Sequence, residues 1–210
     1  PENEETTQEM AADYVRMGCA EVKKMTQPSG NVKESSSKRI LVVGGGMSGM
    51  TAALEIAETG YEVVLVEKTG ALGGMAANLY KRQPFKSPYA EAQDTGVAEM
   101  AARIAATPLI KVHLNSTIGE TAGAPGRFVI QVAQESGNVT EETVGAIVQA
   151  TGFTTYDMTK LPELGGGQPN VVDQAGLEAL AKQANGGAIK RADGKEVKSV
   201  VFVQCAGQRD

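Results

Sequence analysis

A single run, from Lys38 to Gly74, constrains this chain most: KRILVVGGGMSGMTAALEIAETGYEVVLVEKTGALGG. It reads as strand, glycine turn, helix, strand and glycine turn. Ile40-Leu41-Val42-Val43 is apolar and rich in β-branched residues, which suits a buried parallel strand. It feeds directly into Gly44-Gly45-Gly46-Met47-Ser48-Gly49, a GxGxxG with Gly44, Gly46 and Gly49 in the three glycine positions. Gly44 allows the tight turn off the strand, where a Cβ would obstruct the backbone. Gly46 leaves the main chain bare for a pyrophosphate, and Gly49 lets the helix pack close to the sheet. The helix is predicted from Met47 to Thr59, with Met50, Ala53, Leu54 and Ala57 as its apolar stripe and Gly60 as its C-terminal cap. The unpaired amides of its first turn, around Met47 and Ser48, together with the helix dipole, suit a phosphate.

A second strand, Tyr61 to Val66, runs into Glu67 and Lys68. An acid at this place accepts hydrogen bonds from ribose hydroxyls and repels a 2′-phosphate, which argues against NADP. A GxGxxG alone is weak evidence, since glycine-rich turns are common. The strand before it, the helix after it and the acid beyond make dinucleotide binding the expectation. Leu72-Gly73-Gly74, followed by Met75, comes just past that acid. Plain NAD-binding domains do not require such a pair. In flavoproteins with two dinucleotide-binding domains this turn passes beside the FAD pyrophosphate and ribityl chain. An ordinary surface turn is the alternative.

The 210 residues suffice for a real core, and 25 glycines with 4 phenylalanines and no tryptophan point to many tight turns around an aliphatic interior. A net charge of −5 gives no reason to expect nucleic acid or an anionic membrane as partner. No apolar run approaches the roughly 20 residues that span a bilayer, and no signal peptide is visible. Cys19 and Cys205 are too few and too distant for a disulfide framework or a metal site, and without a CxxC no iron–sulfur cluster has its ligands here. A cytoplasmic, reducing setting is the default.

In chain order, Pro1 to Met10 is polar and acidic and expected to be disordered; Ala11 to Met25 is predicted as a short helix and Thr26 to Ser37 as a linker. Residues 1–37 thus form an N-terminal arm, either docked on a neighbouring domain or subunit or loosely packed. Met75 to Asp94 has no clear period; its Lys81, Arg82 and Lys86 with Tyr80, Phe85 and Tyr89 read as a solvated loop before an anion patch. Thr95 to Ala106 is a predicted helix with Val97, Met100, Ala101 and Ile104 inward, stopped by Pro108. Leu109 to Leu114 is a strand carrying the only histidine, His113, which has no evident carboxylate or cysteine partner and reads as structural. Thr117 to Glu120 lies where many FAD domains pass a strand along the adenine. Arg127 to Gln134 and Val139 to Val144 alternate as strands of an inserted β-meander. Ala146 to Ala150 is another buried parallel strand, ending in Ala150-Thr151-Gly152, the second glycine turn of FAD domains. Gly165-Gly166-Gly167 lacks a preceding strand and a GKS or GKT ending, so it is a flexible turn. Val172 to Ala184 is a helix with Leu177, Leu180 and Ala181 inward, and Val197 to Val203 a last buried strand that puts Cys205 at its end. The fold class is therefore α/β: a Rossmann-like FAD/NAD(P)-binding domain over residues 38–210, with a parallel sheet and an inserted meander. Because the chain stops directly after that strand, the domain is expected to be incomplete at its C-terminus.

Beyond single motifs, the chain from Ala11 onward resembles the flavin-domain family of heterodisulfide reductase, which includes flavoprotein subunits of the quinone-interacting membrane-bound oxidoreductase complex. YVRMGCAEVKKM resembles that family's lead-in helix, and VVGGGMSGMTAALEIAETGYEVVLVEK with LGG its first FAD segment. ATGFTTYD, GGGQPNVV and ADGKEVKSVVFVQCAGQRD are more specific than any glycine fingerprint. The resemblance implies FAD held by Gly44, Gly46, Gly49, Glu67, Gly73, Gly74, Thr151 and Gly152, with Met47, Ser48, Lys68, Met75 and Ala150 flanking them. It implies a flavin that relays electrons to iron–sulfur partner subunits from a nicotinamide or ferredoxin donor. Two departures stand out: the family's cysteine-rich cluster motifs are missing, and so is the later sequence that completes the isoalloxazine site. No side chain is assigned as catalytic, and Cys205 reads as a buried core cysteine before a redox-active one. The competing expectation is a non-catalytic scaffold of dinucleotide-binding shape within a redox complex. A simple NAD-dependent dehydrogenase fits poorly, given the extra glycine turns and the lack of a catalytic His or Tyr-Lys pair.

Overall fold

The computed structural model describes residues 5–26 and 36–207. The chain divides into two units, residues 1–35 and 36–210. In the first, α1 (Glu5–Lys24) buries none of its side chains. It begins six residues before the predicted Ala11, so Glu5 to Met10 is helical where disorder is expected. Good helix formers and the acid of the first turn, Glu5, favour the longer helix. Most of the expected linker, residues 27–35, lies outside the described residues, as do residues 1–4.

In the second unit, β1 (Ile40–Val43) leads into α2 (Met47–Glu58), β2 (Val63–Val66), α3 (Val97–Ala106) and β3 (Ile110–His113). Then come β4 (Ser116–Ala124), β5 (Arg127–Gln134) and β6 (Val139–Val144), followed by β7 (Ala146–Gln149) and α4 (Gln174–Ala184). β1, β2, β3 and β7 form a parallel sheet in the order β3-β2-β1-β7. This is the 3-2-1-4 order of a doubly wound fold. β4, β5 and β6 form a separate antiparallel meander, with a bulge between Ile118 and Thr121. Thr117 to Glu120 thus lies in that meander. The parallel strand β7, at one edge of the sheet, is partly exposed and less covered than predicted.

Strand alternation builds three layers. Val42, Val63 and Leu65 face α2 and α3, where Met50, Ala53, Leu54, Ala57 and Ile104 close one core. Leu41, Val64 and Val66 face the other way, onto Ile130, Val132 and Val144 of the meander. β2 is buried on both faces, which explains its uninterrupted VVLV.

A polar clasp joins the meander to the sheet. Glu142 of β6 is buried, and its carboxylate accepts from Lys111 Nζ at 2.6 Å and Arg39 Nη1 at 3.1 Å. His113 Nε2 lies 3.3 Å from the same carboxylate. The histidine therefore has the carboxylate partner that the sequence around it does not reveal. Burial pushes the Glu142 carboxyl up. The Lys111 hydrogen bond and charge, the His113 bond and the Arg39 charge outweigh this and hold it below the ordinary carboxylate range.

The predicted last strand is overturned. Residues 198–203 make no ladder, and Val200 to Val203 are exposed; only an isolated bridge, Lys190 to Glu196, precedes them. Their apolar run satisfies the strand pattern but has no neighbouring strand to pair with among the described residues. Cys205 is accordingly exposed, with φ 56°, and not a buried core residue. Val201 and Val203 instead line an apolar depression with Met158, Leu161, Leu164 and Val172.

Candidate functional site

The site forms at the carboxyl ends of β1, β2 and β7, where open α/β sheets bind ligands. Gly44 leaves β1 with φ 105°, and its N–H donates to the Val66 carbonyl at 2.8 Å. A Cβ there would overlap the Ala150 carbonyl oxygen at the end of β7. A Cβ on Gly49 would overlap the carbonyl oxygen of Gly44 itself. Both glycines are thus demanded by the protein. Gly46 differs: nothing lies nearer than 4.0 Å to the place of its Cβ, and its φ of −73° is open to any residue. The space a side chain would fill is open.

The second glycine turn completes a cradle of bare backbone. Gly73 N–H donates to the Gly45 carbonyl at 2.8 Å, and Gly46 and Gly73 form an isolated parallel bridge. A Cβ on Gly74 would come 3.0 Å from Gly46 Cα, and one on Gly73 would meet Val97 Cγ1 at 2.5 Å. Helix α2 has Gly46 at its N-cap, with no side-chain cap and no acid in its first turn. Its first amides and positive dipole end therefore face the cradle uncompensated, the arrangement that receives a phosphate. Bare glycines and a first helical turn that carries no acid fit the pyrophosphate of a dinucleotide.

Glu67 has more to do than its predicted ribose contact. It is 5% exposed, and the protein already occupies both of its oxygens. Oε2 accepts from Gly45 N–H at 2.6 Å; Oε1 accepts from Thr69 N–H and Thr69 Oγ1, each at 2.8 Å. Burial pushes this carboxyl up, but the Thr69 and Gly45 amides, the Thr69 hydroxyl and the Lys68 charge outweigh it and hold it below the ordinary range. Gly45 and Thr69 escape the motif reading. Gly45 occupies a variable position of GxGxxG, yet its Cβ would sit 2.5 Å from Leu72 Cδ2 and 3.1 Å from Glu67. The Glu-Lys-Thr spacing was the available signal for Thr69, since a hydroxyl two residues from a carboxylate readily closes a turn onto it.

The structure thus brings together Gly44, Gly46, Gly49, Glu67, Gly73, Gly74 and Ala150, with Met47 at the root of α2. Ser48, Lys68, Met75, Thr151 and Gly152 are exposed at the margins, Gly152 with φ 73° and nothing within 4 Å of its Cβ position. Among the described residues no group of three or more His, Cys, Asp or Glu could hold a metal ion, and no helix is long and apolar enough to cross a membrane.

The model of a family described as FAD dependent oxidoreductase matches residues 39–209, well over half of the chain. The chain belongs to that family. As a member of the FAD dependent oxidoreductases it binds FAD. Among relatives, an iron-sulfur subunit of the CoB–CoM heterodisulfide reductase of Methanopyrus kandleri is 26% identical over 284 residues, covering 96% of this chain and 42% of the relative. The corresponding subunit of the H(2):CoB-CoM heterodisulfide,ferredoxin reductase of Methanothermobacter marburgensis is 25% identical over 284 residues, 100% of this chain and 43% of the relative. The chain therefore spans less than half the length of these relatives. Both matched stretches exceed its own 210 residues, so the relatives carry internal segments with no counterpart here. Among solved structures, L-proline dehydrogenase from P. horikoshii is 21% identical, with 62% of this chain and 28% of that one covered and a TM-score of 0.44.

Proposed function

We propose that this chain is the FAD-binding part of an electron-transfer oxidoreductase similar to the heterodisulfide reductase subunits it matches. In this reading the pyrophosphate lies against Gly44, Gly46 and Gly49 and the first amides of α2, at Met47 and Ser48. Gly73, Gly74 and Met75 close over it, Glu67 and Lys68 flank the ribose, and Ala150, Thr151 and Gly152 border the approach to the flavin. The bound flavin accepts and passes on electrons. The chain's own residues bind it, orient it and set the charge around it; none is assigned as an acid or base. The partners in this reading are iron–sulfur subunits, with a nicotinamide or ferredoxin as donor; that the relatives are named as lettered subunits of heterodisulfide reductases supports a multi-subunit assembly.

One observation carries the reading. Gly44, Gly45, Gly49, Gly73 and Gly74 each lack a side chain because the protein itself fills the space, whereas Gly46 lacks one with no protein atom nearer than 4.0 Å to require it. Gly46→Val should therefore abolish flavin retention while circular dichroism reports an intact fold. Visible flavin absorbance at full occupancy in that variant would overturn the assignment of the loop.

A further inference from the structure

The hydrogen bonds around Glu67 contain one donor too few, and the deficit falls on a single side chain. Thr69 Oγ1 lies 2.8 Å from Glu67 Oε1 and 2.9 Å from the Ala71 carbonyl oxygen. Both partners accept only, and a hydroxyl carries one proton. Thr69 therefore satisfies one of them at a time. The same side chain closes a ring: Gly45 N–H to Glu67, Glu67 to Thr69, Thr69 to Ala71, and two residues on, Gly73 N–H back to the Gly45 carbonyl at 2.8 Å. That ring ties the GxGxxG loop, the acid and the Gly73-Gly74 turn to one another.

An ionised carboxylate offers about four acceptor sites. Three are taken by Gly45 N–H, Thr69 N–H and Thr69 O–H. A ribose 2′,3′-diol brings two further donors, so one protein donor must withdraw. The two amides are fixed in the backbone. Only the Thr69 hydroxyl has a second acceptor in reach, at Ala71.

We propose that Thr69 is a positioning residue of the dinucleotide site, whose hydroxyl proton passes from Glu67 to the Ala71 carbonyl when Glu67 takes the ribose diol. Ribose capture is thereby coupled to fixation of the Ala71–Gly74 turn beside the pyrophosphate. This rests on reading the cradle as a dinucleotide site.

The test measures binding of FAD, ADP and 2′,3′-dideoxy-ADP by calorimetry to the wild-type chain and to Thr69→Val, Thr69→Ala and Thr69→Ser. Wild type should prefer ADP over the dideoxy probe by about tenfold, the worth of hydrogen bonds to a charged acceptor. Thr69→Val should raise that preference a further two- to threefold, about the cost of trading a hydroxyl bond to a charged acceptor for one to a neutral carbonyl, because no hydroxyl then has to leave Glu67 for the diol to bind. Thr69→Ala, a second hydroxyl-free variant should the valine misfold, should do the same, and Thr69→Ser should restore the wild-type ratio. A purely structural role would weaken both probes equally and leave the ratio unchanged, and that result overturns the proposal while leaving the site intact. Failure of serine to restore the ratio overturns it too. Wild-type chain that binds neither FAD nor ADP removes the site reading itself, and the role of Thr69 with it.

Discussion

Two four-residue runs in this chain are almost the same and meet opposite fates. Val63-Val64-Leu65-Val66 is no more than 2% exposed anywhere, whereas Val200-Val201-Phe202-Val203 is 52% to 85% exposed. Local propensity does not separate them, for each is three valines and one other large apolar residue. What separates them is company. β2 has β1 on one side, β3 on the other, helices on one face and the meander on the opposite face. The later run has no ladder partner among the described residues. An apolar run nominates a strand, and neighbouring strands elect it.

Substitutions can break or sharpen that contrast. The largest effect is expected where β1 hands over to α2. Gly49→Ala puts a methyl group into the Gly44 carbonyl, a backbone overlap expected to cost about 4 kcal/mol in denaturant unfolding. Leu65→Ala hollows the doubly covered strand and should cost about 3 kcal/mol by the same measurement. Glu142→Gln, which unpairs Lys111 and Arg39 beneath the meander, should cost about 2 kcal/mol; it falls below the usual range for a broken buried pair because both cations are partly exposed. The acid limb gives its signature. Glu142 and Glu67 both have carboxyls held below their ordinary range. Each contributes stability that is complete above that range and drains away as pH falls through the lowered value. Glu142→Gln should therefore flatten the acid side of a stability–pH curve, and a variant whose curve parallels wild type would refute the clasp. The smallest effect belongs to the exposed run: Val201→Ala should stay within about 0.5 kcal/mol. A loss there matching that of Leu65→Ala would mean that the run is covered after all.

Much of the fold was legible because its signals are local. The GxGxxG corner, the inward residues of α3 and the bounds of β5 and β6 follow from periodicity and glycine placement, and the structure reproduces them. The His113–Glu142 contact joins positions 29 residues apart and leaves no trace in either neighbourhood. Gly45 hides in a variable position of its motif because the demand for glycine comes from Glu67 and Leu72, beyond α2 and β2 in the chain. The missing strand at residues 197–203 failed for the opposite reason: its local signal is complete, but pairing is not a local property.

The Glu142 clasp has a practical corollary. It anchors the root of the β5–β6 hairpin to the sheet, while the tip at Ser136-Gly137 is exposed, and Gly137 has open space on every side of its Cβ position. A guest peptide or reporter spliced between those two residues would hang on the nucleotide side of the sheet, because Glu135 N–H donates to the Asn115 carbonyl and Asn115 N–H to that of Thr69, and would sense that corner.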